Sequence, residues 1–307
     1  MENPRSDLKD MSGTVCVVTG ANSGIGKATA AELARLGARV VMVCRDEGRG
    51  REAQAEIRAA ARTAHPSRED VVDLCIADLS VLEEVYRLGE TLRADHDRLD
   101  VLVNNAGVFL DSFEETADGL EATFAINHLA PFLLTHLVLP RLRETAGRAG
   151  EARIITVSSE AHRGVSMNFD DLNARESYNP LQAYARSKLA NILFTHELSR
   201  RLQDKGVVAN AVHPGIVNTN IWRGSGWISR VARLFSWLYK RPEEGARSVV
   251  YLAASPEVEG VTGQYFKETE VVNPSPEAYD EKAEAHLWKV SRELTGLAEV
   301  NEEEEAE

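Results

Sequence analysis

Short apolar runs alternate with helix-length segments along most of the chain, and this alternation constrains the fold more than any other feature. Each run is four to six residues long and nearly continuously apolar, which is typical of strands buried on both faces of a sheet. Strands that alternate with helices form an open parallel sheet, because each crossover returns the chain to the same edge. The runs are Thr14–Thr19, Arg39–Cys44, Val71–Ile76, Leu99–Val103, Arg153–Val157 and Val207–Val212, and Gly263–Phe266 could add an edge strand.

The segments between these runs have the length of helices and would cover both faces of the sheet. No stretch rich in Pro, Gly or Ser divides the chain. We therefore predict one α/β domain over residues 1–298, a single-domain Rossmann-type doubly wound parallel sheet with helices on both faces. The predicted helices are Gly26–Leu36, Glu47–Thr63, Ser80–Ala94, Gly119–Thr145 and Ala183–Gln203.

The charge balance excludes one class of partner. Lys and Arg number 35 against 48 Asp and Glu, which gives a net charge of -13, whereas a nucleic-acid binder normally carries a basic surface. Six of the acidic residues fall within residues 299–307, which we interpret as a disordered acidic tail. No run of 18 or more apolar residues occurs, so we predict no transmembrane segment.

The cysteines indicate a reducing compartment. Cys16, Cys44 and Cys75 each lie inside an apolar run, which predicts buried thiols in a cytoplasmic protein. Their spacing does not match that of metal ligands, so we predict no metal site.

A glycine-rich turn directly follows the first predicted strand. Residues 19–27 read TGANSGIGK, with glycines spaced G-x-x-x-G-x-G. Glycines let the backbone turn tightly and approach a phosphate, while the following helix points its positive N-terminus at the same place. A turn in this position, after a strand and before a helix, predicts a dinucleotide-binding loop.

Further motifs accompany this loop, and together they resemble the short-chain dehydrogenase/reductase family. They are an Asn-Asn-Ala-Gly turn after the fourth strand, a Tyr-x-x-x-Lys pair and a Pro-Gly-x-Val-x-Thr turn after the sixth strand. The resemblance runs from about Thr14 to Phe266 and points to the compact branch, with segments such as Cys44–Asp46 similar to a retinol-dehydrogenase-like subgroup. The cofactor-binding residues it implies are Gly20, Asn22, Ser23, Gly24, Ile25, Gly26, Arg45, Asp78, Leu79, Asn105, Ala106, Gly107, Tyr184, Lys188, Pro214, Gly215, Val217 and Thr219.

The end of the second strand bears on which nucleotide is bound. In dinucleotide folds this end meets the adenosine ribose. Cys44 stands where NAD-preferring members of the family carry an acid, and the Arg45 guanidinium could bind a 2′-phosphate with help from Ser23. We therefore predict NADP(H) rather than NAD(H), although Arg45 could instead pair with Asp46. The resemblance places Asp78 near the adenine, and Asp78 could also cap the next helix.

Tyr184 and Lys188 lie four positions apart at the start of a predicted helix, so both project from one face. A free phenol has a pKa near 10, which is too high for efficient proton transfer at neutral pH. A nearby ammonium group, aided by the positive nicotinamide of the oxidised cofactor, would favour the phenolate and lower that pKa. The resemblance makes Tyr184 the acid/base of a hydride transfer and Lys188 a ligand of the nicotinamide ribose.

The catalytic set that the resemblance implies also contains Asn127 and Ser159. Two serines end the fifth strand. Ser159 lies 25 residues before Tyr184, which is the interval in the retinol-dehydrogenase-like subgroup that the chain resembles. The resemblance therefore favours Ser159 over Ser158 as the donor to the substrate oxygen. Pro131 has no N–H for the Asn127 carbonyl, so we expect the helix to bend there. The freed oxygen could hold a water that relays protons to Lys188; the alternative is a kinked core helix.

The resemblance implies a substrate lid at about residues 219–241, where members of the family place one and where this chain is rich in tryptophan. This segment contains Trp222, Trp227 and Trp237 and is locally basic. An amphipathic spacing from Ile228 onward fits a lid over an apolar substrate. The same spacing would fit a peripheral membrane contact, core packing or a dimer contact.

These features together predict an NADP(H)-dependent oxidoreductase that transfers a hydride between nicotinamide and a carbonyl or a secondary or allylic alcohol. We expect an apolar small-molecule substrate. The alternative is a non-catalytic protein that senses NADP on the same fold. The long apolar segments Gly119–Thr145 and Ala183–Gln203 could form the dimer face that is common in the family.

Overall fold

Eight strands form the main sheet, and seven of them run parallel. A computed structural model of the protein describes residues 8–66, 71–203, 205–215, 222–223 and 241–297. The strand order is β10-β9-β7-β6-β4-β1-β2-β3, with β10 antiparallel to β9, and β5 and β8 pair in a separate two-stranded sheet. The strands are β1 Val15–Thr19, β2 Arg39–Cys44, β3 Val72–Ile76, β4 Val101–Asn104, β5 Phe109–Leu110, β6 Ala152–Val157, β7 Val207–His213, β8 Trp222–Arg223, β9 Tyr265–Lys267 and β10 Glu270–Val271.

All seven predicted strands are present, with their ends shifted by at most two residues. Every residue of β1, β4, β6 and β7 is buried, because helices cover both faces of the sheet and neighbouring strands cover both edges. The edge strand β3 departs from the prediction of buried cysteines. Cys75 is partly exposed there and Ile76 is 41% exposed, whereas Cys16 and Cys44 are buried.

Helices cover both faces, as the doubly wound prediction requires. On one face α1 packs against α2 and α7, and on the other α3 packs against α5 and α6 against α8. The sequence analysis did not predict α7 and α8. The helices are α1 Gly24–Arg35, α2 Glu47–Ala64, α3 Leu82–Asp95, α4 Ala122–Phe124, α5 Ala130–Ala149, α6 Pro180–Arg201, α7 Pro242–Ala254 and α8 Glu281–Thr295.

The deviation predicted near Pro131 takes the form of a π-turn. The turn spans Ala125–Leu129 between α4 and α5, and the Ala130 N–H bonds back to the Ala125 carbonyl. Proline has no N–H to donate to the preceding helical turn, and the wider π-turn lets the helix continue past this position. Asn127 lies in this turn.

The helical stretch Ala122–Ala149 is long and apolar enough to cross a membrane, with a mean hydropathy of 1.4 over its most apolar window. The sequence analysis judged by unbroken apolar runs, and the longest one in this stretch, Leu129–Leu139, is short and interrupted by Pro131 and His136. In the fold, 78% of that window is buried. The packing of α5 against the sheet, α3 and α8 accounts for its apolar character.

Helix α8 packs across α6 and touches α5, so the chain itself covers part of the face that the sequence analysis assigned to a dimer. Its Trp288 is 5% exposed. The indole lies 5.2 Å from the Phe132 ring and 6.0 Å from the Phe194 ring, measured between centroids. The Arg201 guanidinium lies over the indole at 4.5 Å.

Replacing Trp288 with Ala should lower the free energy of unfolding by about 3–5 kcal/mol, because loss of the indole would leave a large cavity where α8 packs on α5 and α6. Urea denaturation followed by circular dichroism measures this loss. Lys289→Ala is the matched control on the same helix. The Lys289 side chain is 71% exposed, so its loss should cost less than about 0.5 kcal/mol. Equal effects of the two substitutions would contradict the packing role.

Candidate active site

The C-terminal ends of the parallel strands open into one cavity of about 650 Å³. It lies beside β1 and β4, where the sheet order reverses and where open α/β sheets bind ligands. Such a volume is within the usual range for a ligand site. The predicted residues that line it are Gly20, Asn22, Ser23, Gly24, Ile25, Gly26, Arg45, Asp78, Leu79, Asn105, Ala106, Gly107, Ser159, Tyr184, Lys188, Pro214 and Gly215.

One predicted catalytic residue, Asn127, does not line this cavity, and several other predictions fall outside the described residues. Asn127 is buried behind the cavity wall. Val217 and Thr219 lie outside the described residues, as does nearly all of the predicted lid at 219–241. The predicted acidic tail at 299–307 also lies outside them.

The glycine loop is bonded to the turn that follows β4. The Thr19 hydroxyl accepts the N–H groups of Asn105 and Ala106, both at 3.0 Å, and Asn105 Nδ2 donates to the Thr19 carbonyl at 2.7 Å. A methyl group at Gly26 would lie 2.4 Å from Asn105 Nδ2 and 2.5 Å from the Gly20 carbonyl oxygen. We call these hydrogen bonds from Asn105 and Ala106 to Thr19 the clamp. Glycine at position 26 leaves the space that the clamp occupies. The sequence analysis placed Asn105 among the cofactor-binding residues and did not predict this structural role of its side chain.

At the adenosine end, Arg45 pairs with Asp78 at 3.6 Å. Asp46, the alternative partner, instead caps α2 by accepting the Arg49 N–H at 2.8 Å. Asp78 also accepts the N–H and hydroxyl of Ser80, at 3.0 Å and 2.7 Å, and so closes the turn that precedes α3. The Asp78 carboxylate thereby holds the Arg45 guanidinium at the cavity wall.

The sequence analysis missed a second cation at this end, Arg49. It lines the cavity and is exposed, and it forms no ion pair with any carboxylate among the described residues. Arg45 directly precedes Asp46, the N-cap of α2, and Arg49 lies in the first turn of that helix. The available signal was a second arginine close behind the end of β2. Two guanidinium groups beside a glycine cradle fit a nucleotide with an added phosphate.

The two adjacent serines have different partners. The Ser158 hydroxyl is buried and donates to the Lys188 carbonyl at 2.7 Å. Ser159 is partly exposed, bonds to the Tyr184 hydroxyl and accepts the Ala161 N–H at 3.2 Å. Only Ser159 therefore combines contact with Tyr184 and access to the cavity.

Burial dominates the titration of Tyr184 and Lys188. It raises the pKa of Tyr184 to about 12, against the opposing effect of the Ser159 hydrogen bond, and lowers the pKa of Lys188 to about 8. The expected lowering of this pKa by the ammonium together with the oxidised nicotinamide stays a prediction. Lys188 Nζ lies 5.6 Å from the Tyr184 ring centroid and donates to the Val157 carbonyl at 3.0 Å. Tyr184 therefore keeps its proton at neutral pH and can donate it.

Asn127 holds the turn that borders the cavity. Its Nδ2 donates to the Val108 carbonyl and to Ser187 Oγ, both at 3.0 Å, and its Oδ1 accepts the Val108 N–H at 2.7 Å. A methyl group at Gly107 would come within 3.3 Å of Asn127 Oδ1 and 3.4 Å of Lys188 Nζ. The side chain is thus a positioning group, and the proton relay through its carbonyl stays a prediction.

The family model of the short chain dehydrogenases matches residues 14–226. This chain belongs to the short-chain dehydrogenase/reductase family. Human retinol dehydrogenase 14 is 46% identical over 94% of this chain and 88% of its own length, and bovine retinol dehydrogenase 12 is 43% identical over 95% and 89%. Mouse polyprenol dehydrogenase is 41% identical over 94% of this chain and 86% of its own length. The protein is therefore an oxidoreductase of CH–OH donors in the retinol-dehydrogenase-like subgroup.

Solved structures of this family share the fold. A protein from Mycobacterium Paratuberculosis superposes with a TM-score of 0.74 at 34% identity, covering 95% of this chain and 96% of that one. A short-chain dehydrogenase from Burkholderia cenocepacia J2315, solved in complex with NADP, gives a TM-score of 0.64 at 26% identity and covers 84% of this chain and 97% of that one.

Replacing Gly26 with Ala should weaken nucleotide binding and lower the free energy of unfolding by about 1–3 kcal/mol, because the added methyl would overlap Asn105 and the Gly20 carbonyl. Gly147→Ala is the matched control within α5, where an added methyl meets nothing within 4 Å. That change should be neutral or stabilise by up to about 1 kcal/mol. Calorimetry with NADPH and thermal melting test both variants. Unchanged binding by Gly26→Ala would argue against the clamp.

Proposed function

We propose that this protein is an NADP(H)-dependent oxidoreductase that interconverts an apolar allylic alcohol and its carbonyl compound, with Tyr184 as the acid/base. The observation that carries the proposal is the convergence of Ser159, Tyr184 and Lys188 on one cavity that also contains the glycine loop. Partly exposed hydroxyls bonded to each other, with a buried ammonium beside them, form a site for proton transfer to an oxygen.

The preference for NADP(H) is supported by the charges at the adenosine end. Arg45 and Arg49 face the cavity where β2 ends, and Cys44 supplies no carboxylate there. A 2′-phosphate would receive charge-assisted hydrogen bonds from the two guanidinium groups. Asp78 pairs with Arg45 and accepts a hydrogen bond from Ser80, and the guanidinium beside it offsets part of the negative charge that would repel a phosphate.

The reaction follows from the hydrogen-bonding roles of the residues. When bound, the nicotinamide supplies or accepts the hydride. In the reductive direction, the Tyr184 hydroxyl donates its proton to the carbonyl oxygen, and the Ser159 hydroxyl donates a hydrogen bond to the same oxygen. The Lys188 ammonium stabilises the resulting phenolate through space. In the oxidative direction, the phenolate accepts the alcohol proton.

The substrate class is supported by the cavity walls beyond the catalytic groups. Phe109, Ile126, Val165 and Leu181 line this region, and Leu181 is 58% exposed on the first turn of α6. Exposed apolar surface of this kind favours an apolar ligand. The relatives named for retinol and polyprenol act on isoprenoid alcohols, and we propose the same chemical class here, with all-trans-retinal as the probe aldehyde.

Tyr184→Phe should lower kcat for the NADPH-dependent reduction of all-trans-retinal by at least about 100-fold, because the ring remains but the proton donor is lost. The dissociation constant for NADPH should stay within about twofold of the wild type, since the hydroxyl is a proton donor and not a phosphate ligand. NADPH absorbance and fluorescence titration measure the two quantities. Retention of most of the wild-type kcat would mean that another group is the acid. Failure of the wild type to turn over retinal or any other carbonyl would instead favour a sensor.

Arg45→Ala and Arg49→Ala should each weaken NADPH binding by about 10- to 100-fold, because each removes a charge-assisted contact with the 2′-phosphate. NADH binding should change by no more than about twofold, since NADH lacks that phosphate. Arg51→Ala is the control: this exposed arginine pairs with Glu47 on α2 and does not line the cavity. Equal losses for NADPH and NADH would contradict the proposed preference.

A further inference from the structure

A buried histidine, His162, lies directly behind Ser159. Its side chain is fully buried, and both ring nitrogens have partners on the main chain. Nδ1 lies 2.7 Å from the Ser159 carbonyl oxygen, and Nε2 accepts the Ser275 N–H at 3.0 Å. The imidazole thus joins the residue that faces the cavity to a segment more than one hundred positions away along the chain.

These two partners determine the state of the ring. The Ser159 carbonyl can only accept, so Nδ1 must carry the hydrogen, and the Ser275 N–H can only donate, so Nε2 must carry the lone pair. The ring is therefore the neutral Nδ1–H tautomer. Burial lowers the pKa of His162. The hydrogen bond to the Ser159 carbonyl opposes this effect, as do Glu160 and Glu277, and Arg163 adds to it.

The surroundings hold the turn that carries His162 against the C-terminal part of the fold. The Tyr265 ring stands edge-on to the imidazole at 5.1 Å between centroids, and its hydroxyl donates to Glu160 at 3.0 Å. Arg163 pairs with Glu160 at 3.2 Å and donates to the Asn273 carbonyl at 2.8 Å. Residues 160–163 thus contact Ser159 on one side and residues 265–275 on the other.

We propose that His162 is a positioning residue for the reaction, which fixes the main chain of Ser159 so that its hydroxyl meets Tyr184 and the substrate oxygen together. The Ser159 carbonyl accepts both the backbone N–H of His162 at 3.1 Å and its imidazole. This restrains the peptide unit from which the side chain projects. The inference rests on the proposed role of Ser159 as a hydrogen-bond donor.

Two substitutions of His162 test its hydrogen bond to Ser159 and its hydrogen bond to Ser275 one at a time. The amide of Asn reaches the position of Nδ1, so His162→Asn keeps a donor for the Ser159 carbonyl and loses the bond to Ser275. The amide of Gln reaches the position of Nε2, so His162→Gln keeps an acceptor for Ser275 and loses the bond to Ser159. Each variant loses one buried hydrogen bond and some ring volume, so their melting temperatures should fall by similar amounts.

The kinetics should nevertheless differ. With all-trans-retinal and NADPH, His162→Gln should lose at least about 30-fold in kcat, because a small displacement of a catalytic group is costly. Its KM and its NADPH dissociation constant should remain near the wild-type values. His162→Asn should keep kcat within about threefold. Equal kcat losses in the two variants, or a greater loss in His162→Asn, would overturn the proposal.

Ser159→Ala in the same assay separates this inference from the proposed function. If Ser159→Ala loses kcat while the two His162 variants are alike, only the positioning role fails. If Ser159→Ala retains full kcat, the donor role fails and the positioning role fails with it.

A second measurement does not depend on turnover. The nitrogen NMR spectrum of the wild-type protein, assigned for His162 by comparison with His162→Gln, should show a neutral ring with the hydrogen on Nδ1 at pH 7. A ring protonated on Nε2 or on both nitrogens would overturn the proposed geometry.

Discussion

The hydrogen bonds between the end of β1 and the turn after β4 are the contacts on which the rest of the site depends. Thr19 accepts three of them, two from Asn105 and one from Ala106, and their geometry requires the absence of a side chain at Gly26. They bring together two loops that are more than eighty residues apart in sequence. Once the loops are joined, the glycine cradle and Gly107 face a common cavity at the switch point of the sheet.

The second constraint is the satisfaction of polar groups that the fold buries around this cavity. Lys188 is 2% exposed, and its ammonium has the Val157 carbonyl as a partner. Asn127 is wholly buried, and its side-chain amide forms hydrogen bonds with the backbone of Val108 and with the Ser187 hydroxyl. An unpartnered polar group in such a place would cost on the order of 1–3 kcal/mol. These bonds therefore order the site before any ligand binds.

The C-terminal part of the chain supports the same residues from behind, beyond the stretch that the family model covers. Ser275 binds His162 behind Ser159, and Ser291 of α8 bonds to His128, the neighbour of Asn127, at 2.9 Å. Both histidines are buried, and burial lowers the pKa of each. Helix α8 thus packs into the hydrophobic core through Trp288 and, through Ser291, bonds to the π-turn that contains Asn127.

The sequence by itself determined the alternating strands and helices, the glycine loop and the pairing of Tyr184 with Lys188, because these patterns depend on spacings of a few residues. The choice of Ser159 over Ser158 also followed from an interval in the sequence, and the different partners of the two hydroxyls agree with it. Only the tertiary structure decided which partner each polar group has. It paired Arg45 with Asp78, used the Asn105 side chain as a clamp and placed His162 between Ser159 and Ser275. It also covered α5 and α6 with α8, and it let burial outweigh the Ser159 hydrogen bond in setting the pKa of Tyr184. The physical reason is that these contacts join residues distant in the chain, and solvent exclusion arises only when the whole fold has closed around them.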